Sequence, residues 1–153
     1  MIKLPLQPEA TELISFEEQG ESFQATPETY DAWLRMKKAA EHEGVTLILV
    51  SAFRSIERQK ELIEAKRKKG VSDEVIFSLL ARPGYSQHHT GCALDLHTPA
   101  SALLEESFED TAAFTWLSNH AIKYGFTLSY PRDNPYGIVY EPWHWFYSHQ
   151  KSK

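Results

Sequence analysis

The sequence contains a single cysteine, Cys92, among its 153 residues. One cysteine excludes an internal disulfide and any zinc site built from several thiolates. An unpaired cysteine is most often a small buried residue, and a nucleophilic role would require a base beside it. We therefore predict that Cys92 is buried and has no catalytic role.

The chain also lacks any apolar run close to the roughly 20 residues that a membrane-spanning helix needs. Its start, MIKLPLQPEATELISF, has no basic region followed by an apolar core, so no signal peptide is visible. Two compartments stay open: the cytoplasm, or the periplasm or cell wall if an export signal was removed. The net charge of −5, from 21 acidic and 16 basic residues, argues against a nucleic-acid-binding surface. Nothing in the sequence indicates an oligomeric state.

The composition, with 42% apolar and 24% charged residues, is typical of soluble globular proteins. The length predicts a single domain, residues 1–153. Periodicity and capping residues predict four helices, at 26–44, from Ser55 to Gly70, after Ser72, and from about Phe108 to Lys123. Apolar runs predict strands at 45–52, 92–97, 126–130 and 138–148. Because βαβ alternation is absent, we predict the α+β class, with a small, mainly antiparallel sheet flanked by helices.

An acidic residue interrupts the apolar run 92-CALDLH-97. Alternate side chains of a strand point to opposite faces, so Leu94 and Leu96 would share one face while Asp95 and His97 share the other. An ionised carboxylate that leaves water must find a cation, a metal or hydrogen-bond donors. Asp95 is therefore expected to point into a site on the face opposite the leucines.

A histidine precedes this carboxylate at a distance that suits a metal site. His88 lies seven residues before Asp95, and Gly91 between them would let the chain turn close to the site. Imidazole and carboxylate are ordinary zinc ligands, and catalytic zinc typically takes three protein ligands. A third ligand is therefore required from elsewhere in the chain.

The candidate for the third ligand lies in the segment 141-EPWHW-145. Pro142 cannot donate to a strand ladder and forces a local bend, so Glu141 and His144 could converge on one metal. Taken alone, however, an E-x-x-H pair is common and more often lies on a surface. The residues by themselves leave both interpretations open.

Two blocks of the sequence together resemble the signature of the zinc D-alanyl-D-alanine carboxypeptidases and dipeptidases of the VanY and VanX type, which are related in fold to the Hedgehog signalling domain. The blocks are Ser86-x-His88-x-x-Gly91-x-Ala93-x-Asp95 and Glu141-x-x-His144. The segments 51-SAFRSIERQ-59 and 83-PGYSQHHTG-91 resemble two further family segments. The sequence departs from the family pattern at Ala52, Phe53 and Cys92. The resemblance runs from about residue 45 to 148 and implies a Hedgehog/DD-peptidase-like fold.

Carried over residue by residue, the resemblance implies that His88, Asp95 and His144 hold one zinc ion. Glu141 would act as the general base that activates water and then passes the proton to the leaving amine. The chemistry agrees, because zinc lowers the pKa of its bound water toward about 7 and polarises the scissile carbonyl. One nearby carboxylate is then sufficient to shuttle the proton.

The resemblance also implies three substrate-binding residues. Arg54 would supply positive charge to the substrate's carbonyl oxygen or terminal carboxylate, which suits its planar fork. Ser86 and Gln59 would add hydrogen bonds at that end, although Gln59 could equally support the neighbouring loop. His89 and His97 are expected to be exposed or to support a ligand rather than to bind the metal.

The leading hypothesis is a zinc metallopeptidase that removes a terminal D-alanine from a peptidoglycan stem peptide, its precursor or a muropeptide. Two other bonds stay open within the same fold: the L,D-bond of a tetrapeptide, and the L-Ala-D-Glu bond cleaved by related phage endolysins. A non-catalytic zinc domain that binds a peptide is the alternative from another class, and the presence of Glu141 and Arg54 argues against it. A metal-free structural domain would require two separated motif blocks to be accidental.

Overall fold

The computed structural model describes residues 2–149. They contain six strands, β1 (Ile14–Glu18), β2 (Glu21–Ala25), β3 (Ile48–Ser51), β4 (Ala93–His97), β5 (Phe126–Leu128) and β6 (His144–Tyr147). They also form four α-helices, α1 (Pro27–His42), α2 (Ile56–Lys68), α3 (Asp73–Leu79) and α4 (Ala112–His120). Short 3-10 helices lie at Gln87–Thr90, Glu106–Asp110 and Ala121–Tyr124. None of the helices in this range is long and apolar enough to cross a membrane.

The six strands form two sheets. β3, β4, β6 and β5 lie side by side in that order, and each neighbouring pair is antiparallel. β1 and β2 form a separate antiparallel hairpin. The predicted α+β class with a small antiparallel sheet and flanking helices is therefore confirmed.

The hydrophobic core lies on one face of the four-stranded sheet. Leu94 and Leu96 of β4 are buried there, in one cluster with Trp33 of α1 and Leu117 of α4. Leu94 and Leu96 are two positions apart, so the residue between them has its side chain on the opposite face of the strand. This is the arrangement predicted for Asp95.

The first three helices begin at the predicted capping residues. The Thr26 hydroxyl accepts a hydrogen bond from the backbone N–H of Thr29, and Pro27 occupies the first turn of α1. Ser55 and Ser72 cap α2 and α3 in the same way. Each hydroxyl satisfies a backbone donor that has no partner within the helix, so the starts of these helices could be predicted from the sequence.

The helix predicted at 108–123 is interrupted, and this is a correction. Thr111 has an extended backbone, with φ −93° and ψ 156°, and its hydroxyl accepts a hydrogen bond from the N–H of Phe114. Thr111 therefore caps a new helix, α4, instead of continuing the preceding turn. The strands β3 and β5 also cover only part of the predicted segments 45–52 and 126–130.

The strand predicted at 138–148 is wrong in its first half. Only its end forms β6, which begins at His144. The Glu141 backbone N–H donates to the carbonyl oxygen of Tyr130 at 3.0 Å, outside any strand ladder. Pro142 follows, and because proline has no N–H it cannot extend a ladder backwards from β6. The segment before His144 is therefore a loop that brings Glu141 toward the sheet.

The hairpin formed by β1 and β2 was not predicted from the sequence. Phe16 and Phe23 pair across it, and the strands are joined by Gln19 and Gly20. Both joining residues have positive φ, 54° and 78°. A two-residue turn of this kind matches the twist of a hairpin, and the glycine adopts it without strain.

Candidate active site

Three buried side chains converge at one point beside the four-stranded sheet. They are His88, Asp95 and His144, and one potential ligand atom from each lies within 4.8 Å of the others. Asp95 and His144 come from the neighbouring strands β4 and β6, whereas His88 lies on the 3-10 helix before β4. The structure thus brings together the three residues predicted to hold a metal.

The orientation of His88 is set by the backbone. Its Nδ1 lies 2.7 Å from the carbonyl oxygen of Ala52, so this nitrogen carries the proton and donates it. Its Nε2 then has a free lone pair and lies 3.2 Å from Asp95 Oδ2. The Ser86 hydroxyl accepts a hydrogen bond from the His88 backbone N–H, which fixes the turn that carries the ring. His88 therefore presents Nε2 to the point of convergence.

The orientation of His144 is set by a side chain, and the other ring nitrogen, Nε2, is the one turned outward. Its Nδ1 lies 3.2 Å from Asp95 Oδ1, and its Nε2 lies 2.8 Å from Gln87 Oε1. The Gln87 oxygen also accepts a hydrogen bond from the Ser129 hydroxyl at 2.6 Å. An amide oxygen can only accept, so the His144 proton resides on Nε2 and the lone pair of Nδ1 faces inward. Sequence reasoning missed Gln87, because its partners lie far from it along the chain.

These hydrogen bonds test whether the site fits a metal. The outward nitrogens of His88 and His144 carry the ring protons, so two nitrogen lone pairs and the Asp95 carboxylate face one another. Three such acceptors repel one another unless a proton or a metal cation lies among them. Two imidazoles and one carboxylate are also a donor set that zinc commonly takes, with a position left for water. The residues present therefore fit a zinc ion.

The surroundings strongly favour the ionised form of Asp95. Burial by itself would raise the pKa of its carboxyl, but the positive charge and hydrogen bonds that His88 and His144 offer when their inward nitrogens are protonated outweigh that effect. The net result holds the pKa of Asp95 well below its usual range. The ionised Asp95 carboxylate therefore favours positive charge, from a ring proton or a metal ion, at the centre of the site.

Glu141 lies next to these three residues without joining their convergent set. Its Oε1 is 3.7 Å from His144 Nδ1, and only 9% of the residue is exposed. Burial raises the pKa of the Glu141 carboxyl from 4.5 to about 7. A carboxyl that titrates near neutral pH can both accept and release a proton, as a general base and acid must.

Arg54 reaches the same space from the segment before α2. Its guanidinium donates to Gln59 Oε1 at 3.1 Å, and Gln59 Nε2 donates to the carbonyl oxygen of Ala81 at 2.8 Å. Gln59 is fully buried, and both ends of its amide are engaged within the protein. The contact with Ala81 corresponds to the alternative in which Gln59 supports the neighbouring loop, and the contact with Arg54 was not foreseen. Its hydrogen bond to the substrate stays a prediction.

The site opens into a cavity of about 120 Å³. Arg54, Ser86 and Glu141 contribute polar groups to the cavity. The apolar part of the wall comes from Leu79, Leu80, Leu104, Ile138 and Trp143. A pocket that is mostly apolar with a few convergent polar groups is typical of small-ligand sites. The cavity is therefore the expected position for a substrate group.

Tyr130 is a second residue of the cavity that sequence reasoning missed. It is 7% exposed, and its ring centroid lies 5.0 Å from that of His144. Burial raises the pKa of its hydroxyl above the ordinary value, with Glu141 adding to the effect. Tyr130 therefore presents a neutral phenol to the cavity and packs against a ring of the site.

The remaining singled-out residues lie outside the convergent set. His89 is fully buried, with Nδ1 2.8 Å from the Arg54 carbonyl oxygen and Nε2 accepting from the Gly84 N–H. It holds the loop that carries His88 against the segment at Arg54, in agreement with a supporting role. Cys92, which directly precedes β4, is only half-buried, contrary to expectation.

Comparisons with known proteins agree with this geometry. Residues 22–150 match the family model described as VanY, D-alanyl-D-alanine carboxypeptidase. The chain is 36% identical over 146 residues to YodJ, a carboxypeptidase-like protein of Bacillus subtilis, covering 90% of this chain and 51% of YodJ. It is 34% identical over 127 residues to VanXYC, a bifunctional D-Ala-D-Ala dipeptidase and carboxypeptidase of Enterococcus gallinarum, covering 79% of this chain and 65% of VanXYC. The chain therefore spans less than two thirds of these relatives.

Two solved structures share both fold and sequence with the chain. The LD-carboxypeptidase LdcB is 35% identical with a TM-score of 0.79, and the match covers 95% of this chain and 72% of LdcB. A D,D-pentapeptidase VanY from a VanB-type resistance cassette, in complex with Zn(II), is 26% identical with a TM-score of 0.74. That match covers 95% of this chain and 82% of the VanY chain.

Proposed function

This chain belongs to the VanY family of D-alanyl-D-alanine carboxypeptidases, and we propose that it is a zinc-dependent peptidase that removes a terminal D-alanine from peptidoglycan stem peptides or their precursors. We further propose that residues 1–153 form one peptidase domain. The observation that carries the proposal is the convergence of His88, Asp95 and His144 with both ring protons turned outward. Three buried side chains that turn acceptor atoms toward one point form a site that a bound cation stabilises.

In this proposal, His88 Nε2, His144 Nδ1 and an oxygen of Asp95 hold one zinc ion. Zinc bound there supplies a Lewis acid for the scissile carbonyl and makes a water molecule acidic near neutral pH. Asp95, ionised under these conditions, offsets one of the two positive charges. The sheet register and the hydrogen bonds to both rings hold the three ligands in place before any metal arrives.

Glu141 is the proposed general base. Its carboxylate takes a proton from the attacking water while the water oxygen bonds to the scissile carbonyl carbon. The C–N bond then breaks, and Glu141 returns the proton to the departing amine, so that free D-alanine and the shortened peptide leave. Its position beside His144, outside the convergent ligand set, and its place in the wall of the cavity support this role.

Arg54 and Ser86 are the proposed contacts for the substrate's carbonyl or terminal carboxylate. Arg54 is a permanent cation in the wall of the cavity, and Gln59 holds its guanidinium in place. A carboxypeptidase must recognise a free carboxylate, for which the guanidinium fork is well suited. The Ser86 hydroxyl accepts from the His88 N–H, which leaves its own proton free to donate.

A second candidate is cleavage of the L,D-bond of a tetrapeptide. Its support is the similarity to LdcB, an LD-carboxypeptidase, which is 35% identical to this chain. Both reactions would use the same zinc ion, the same general base, Glu141, and the same substrate-binding guanidinium, Arg54. The choice between them depends on the stereochemistry that the cavity accepts at the residue before the scissile bond.

Mass spectrometry of the zinc-loaded protein with defined stem pentapeptide and tetrapeptide tests the proposal. We expect the pentapeptide to lose one alanine, and the loss to disappear with a chelator and in Glu141→Ala. Shortening of the tetrapeptide alone would assign the L,D-activity. If neither peptide changes although zinc is bound, a peptide with the L-Ala-D-Glu bond is tested next. Failure of all three substrates would reject the peptidase and favour a zinc-containing peptide-binding domain.

A further inference from the structure

We infer that Gln87 is a positioning residue that fixes the tautomer and ring orientation of His144. The inference deepens the proposed function, because it concerns how the site becomes ready for its metal. Gln87 Oε1 lies 2.8 Å from His144 Nε2. Acceptance of the Nε2 proton by this oxygen directs the Nδ1 lone pair toward the point where Asp95 and His88 converge.

The hydroxyl of Ser129 holds the end of the Gln87 side chain in place beside His144. Ser129 Oγ lies 2.6 Å from Gln87 Oε1, so the oxygen accepts two hydrogen bonds at once. If the amide were turned, its NH2 group would face His144 Nε2 and require a lone pair there. The ring proton would then move to Nδ1, 3.2 Å from Asp95 Oδ1, and block the position of the metal.

The two histidines differ in what orients them. His88 donates its Nδ1 proton to the backbone carbonyl of Ala52, which no substitution removes. His144 relies on the side chain of Gln87, which precedes His88 directly in the same 3-10 helix. One turn of this helix therefore supplies one histidine and orients the other. Packing of Tyr130 against the His144 ring restrains the ring further but does not select a tautomer.

Gln87 also lines the cavity, so contact with the substrate is the competing explanation for any loss of activity. The two roles differ in what they affect. A contact with the substrate would change KM and leave the affinity for zinc unaltered. A positioning role changes the affinity for zinc in the absence of any substrate, and it changes the tautomer of His144 in the absence of zinc.

The first measurement is zinc affinity by competition with a chelator, for the wild type, Gln87→Met and Gln87→Glu. Methionine keeps the length of the side chain but removes the acceptor, and we expect zinc binding to weaken about 10- to 100-fold. Glutamate restores an acceptor, and we expect its affinity to return to near the wild-type value. Ser129→Ala should cause a smaller loss. A Gln87→Met protein that binds zinc as tightly as wild type would overturn the inference.

The second measurement uses the metal-free protein and is independent of peptidase activity. Nitrogen-15 spectra of the imidazole rings report which nitrogen carries the proton. We expect the Nε2-protonated form of His144 in the wild type and in Gln87→Glu, and a mixture of tautomers in Gln87→Met. An unchanged tautomer in Gln87→Met would reject the role of Gln87. If the wild type failed to bind zinc, the proposed function would fail, while these spectra would still decide on Gln87.

Discussion

Asp95 and His144 are directly opposite each other on the antiparallel strands β4 and β6, with His144 Nδ1 3.2 Å from Asp95 Oδ1. Side chains opposite each other on one face of such a pair are close neighbours, so the sheet itself sets the distance between these two groups. The third group, His88, is added from a turn that is tied to β4 by Gly91. The proposed metal site is therefore largely preorganised by the backbone.

The first prediction concerns the metal. We expect His144→Ala to weaken zinc binding by more than about 100-fold, since it removes a ligand rather than a group that orients one. The matched control is His42→Ala, a change at the exposed end of α1, which should leave zinc affinity unaltered. Metal content and chelator competition provide the measurement. Stoichiometric zinc of normal affinity in His144→Ala would show that the ligand is another residue.

The second prediction separates the base from the metal ligands. We expect Glu141→Gln to reduce kcat about 10²- to 10⁴-fold, because amide replaces the group that moves the proton. Zinc affinity should stay within a few-fold of wild type, since Glu141 lies outside the convergent set. Glu105→Gln, an exposed change, serves as the control and should retain full activity. Turnover at the wild-type rate in Glu141→Gln would rule out the assignment.

The third prediction is a pH dependence of stability in the metal-free protein. The folded state raises the pKa of Glu141 from 4.5 to about 7, so it binds this proton more tightly than the unfolded chain does. The resulting stabilisation is fully present below the unfolded pKa and is lost as the pH rises through about 7. We therefore compare the unfolding free energy of metal-free Glu141→Gln with that of wild type. As the pH rises from 5 to 8, we expect this difference to shift by about 2 kcal/mol in favour of Glu141→Gln.

Urea unfolding of the two metal-free proteins at several pH values provides the measurement. Glu105→Gln should show no comparable gain, because its side chain is exposed. Bound zinc should reduce the effect in the wild type, since a nearby cation favours the carboxylate. A constant difference between Glu141→Gln and wild type across this range would mean that Glu141 is not buried in its neutral form.

Part of this structure could be predicted from the sequence because the signals are local. The alternation in β4 placed Asp95 opposite Leu94 and Leu96, and the hydroxyl caps marked the starts of α1, α2 and α3. The break at Thr111 was missed because a threonine within an apolar periodic segment also fits a continuous helix. The hairpin turn at Gln19 and Gly20 did carry a local signal, a glycine between two short alternating segments.

The contacts that complete the site are not local. His144 and Gln87 are 57 positions apart, and Ser129 is 42 positions from Gln87. Their hydrogen bonds depend on the sheet register and on the path of the loop before β6, neither of which has a signature in a single sequence. Tyr130 was missed for the same reason, since its neighbour His144 lies on β6, beyond the loop that follows Tyr130. The residue types indicated which side chains could bind a metal. The tertiary structure determines which residues orient those side chains.

The fourth prediction concerns the guanidinium of Arg54 in the wall of the cavity. We expect Arg54→Lys to reduce kcat/KM about 10²- to 10³-fold, the effect of losing one well-placed donor to the reacting group. A lysine ammonium lacks the planar fork that allows Arg54 to contact Gln59 and a substrate oxygen together. Zinc affinity should stay unaltered. Arg58→Lys, at an exposed arginine paired with Glu61, is the control, and an equal loss in both variants would contradict the assignment.

The fifth prediction tests the turn that carries His88. Gly91 has φ +73°, and a Cβ there would lie 2.8 Å from Leu13 Cδ2 and 3.2 Å from the backbone nitrogen of Thr26. The latter atom cannot retreat without breaking its hydrogen bond to the Gly91 carbonyl oxygen. We expect Gly91→Ala to lower the unfolding free energy by about 2–4 kcal/mol, through backbone strain and overpacking together.

Gly44→Ala is the matched control for Gly91→Ala. Gly44 has a similar φ of +81°, but a Cβ there would meet no atom within 4 Å, so only the strain of about 1 kcal/mol applies. Because Gly91 ends the 3-10 helix that holds His88, zinc affinity should also fall in Gly91→Ala and not in Gly44→Ala. Urea unfolding and chelator competition measure both effects. Equal destabilisation of the two variants would show that the close approach at Gly91 is readily relieved and that strain alone accounts for the loss.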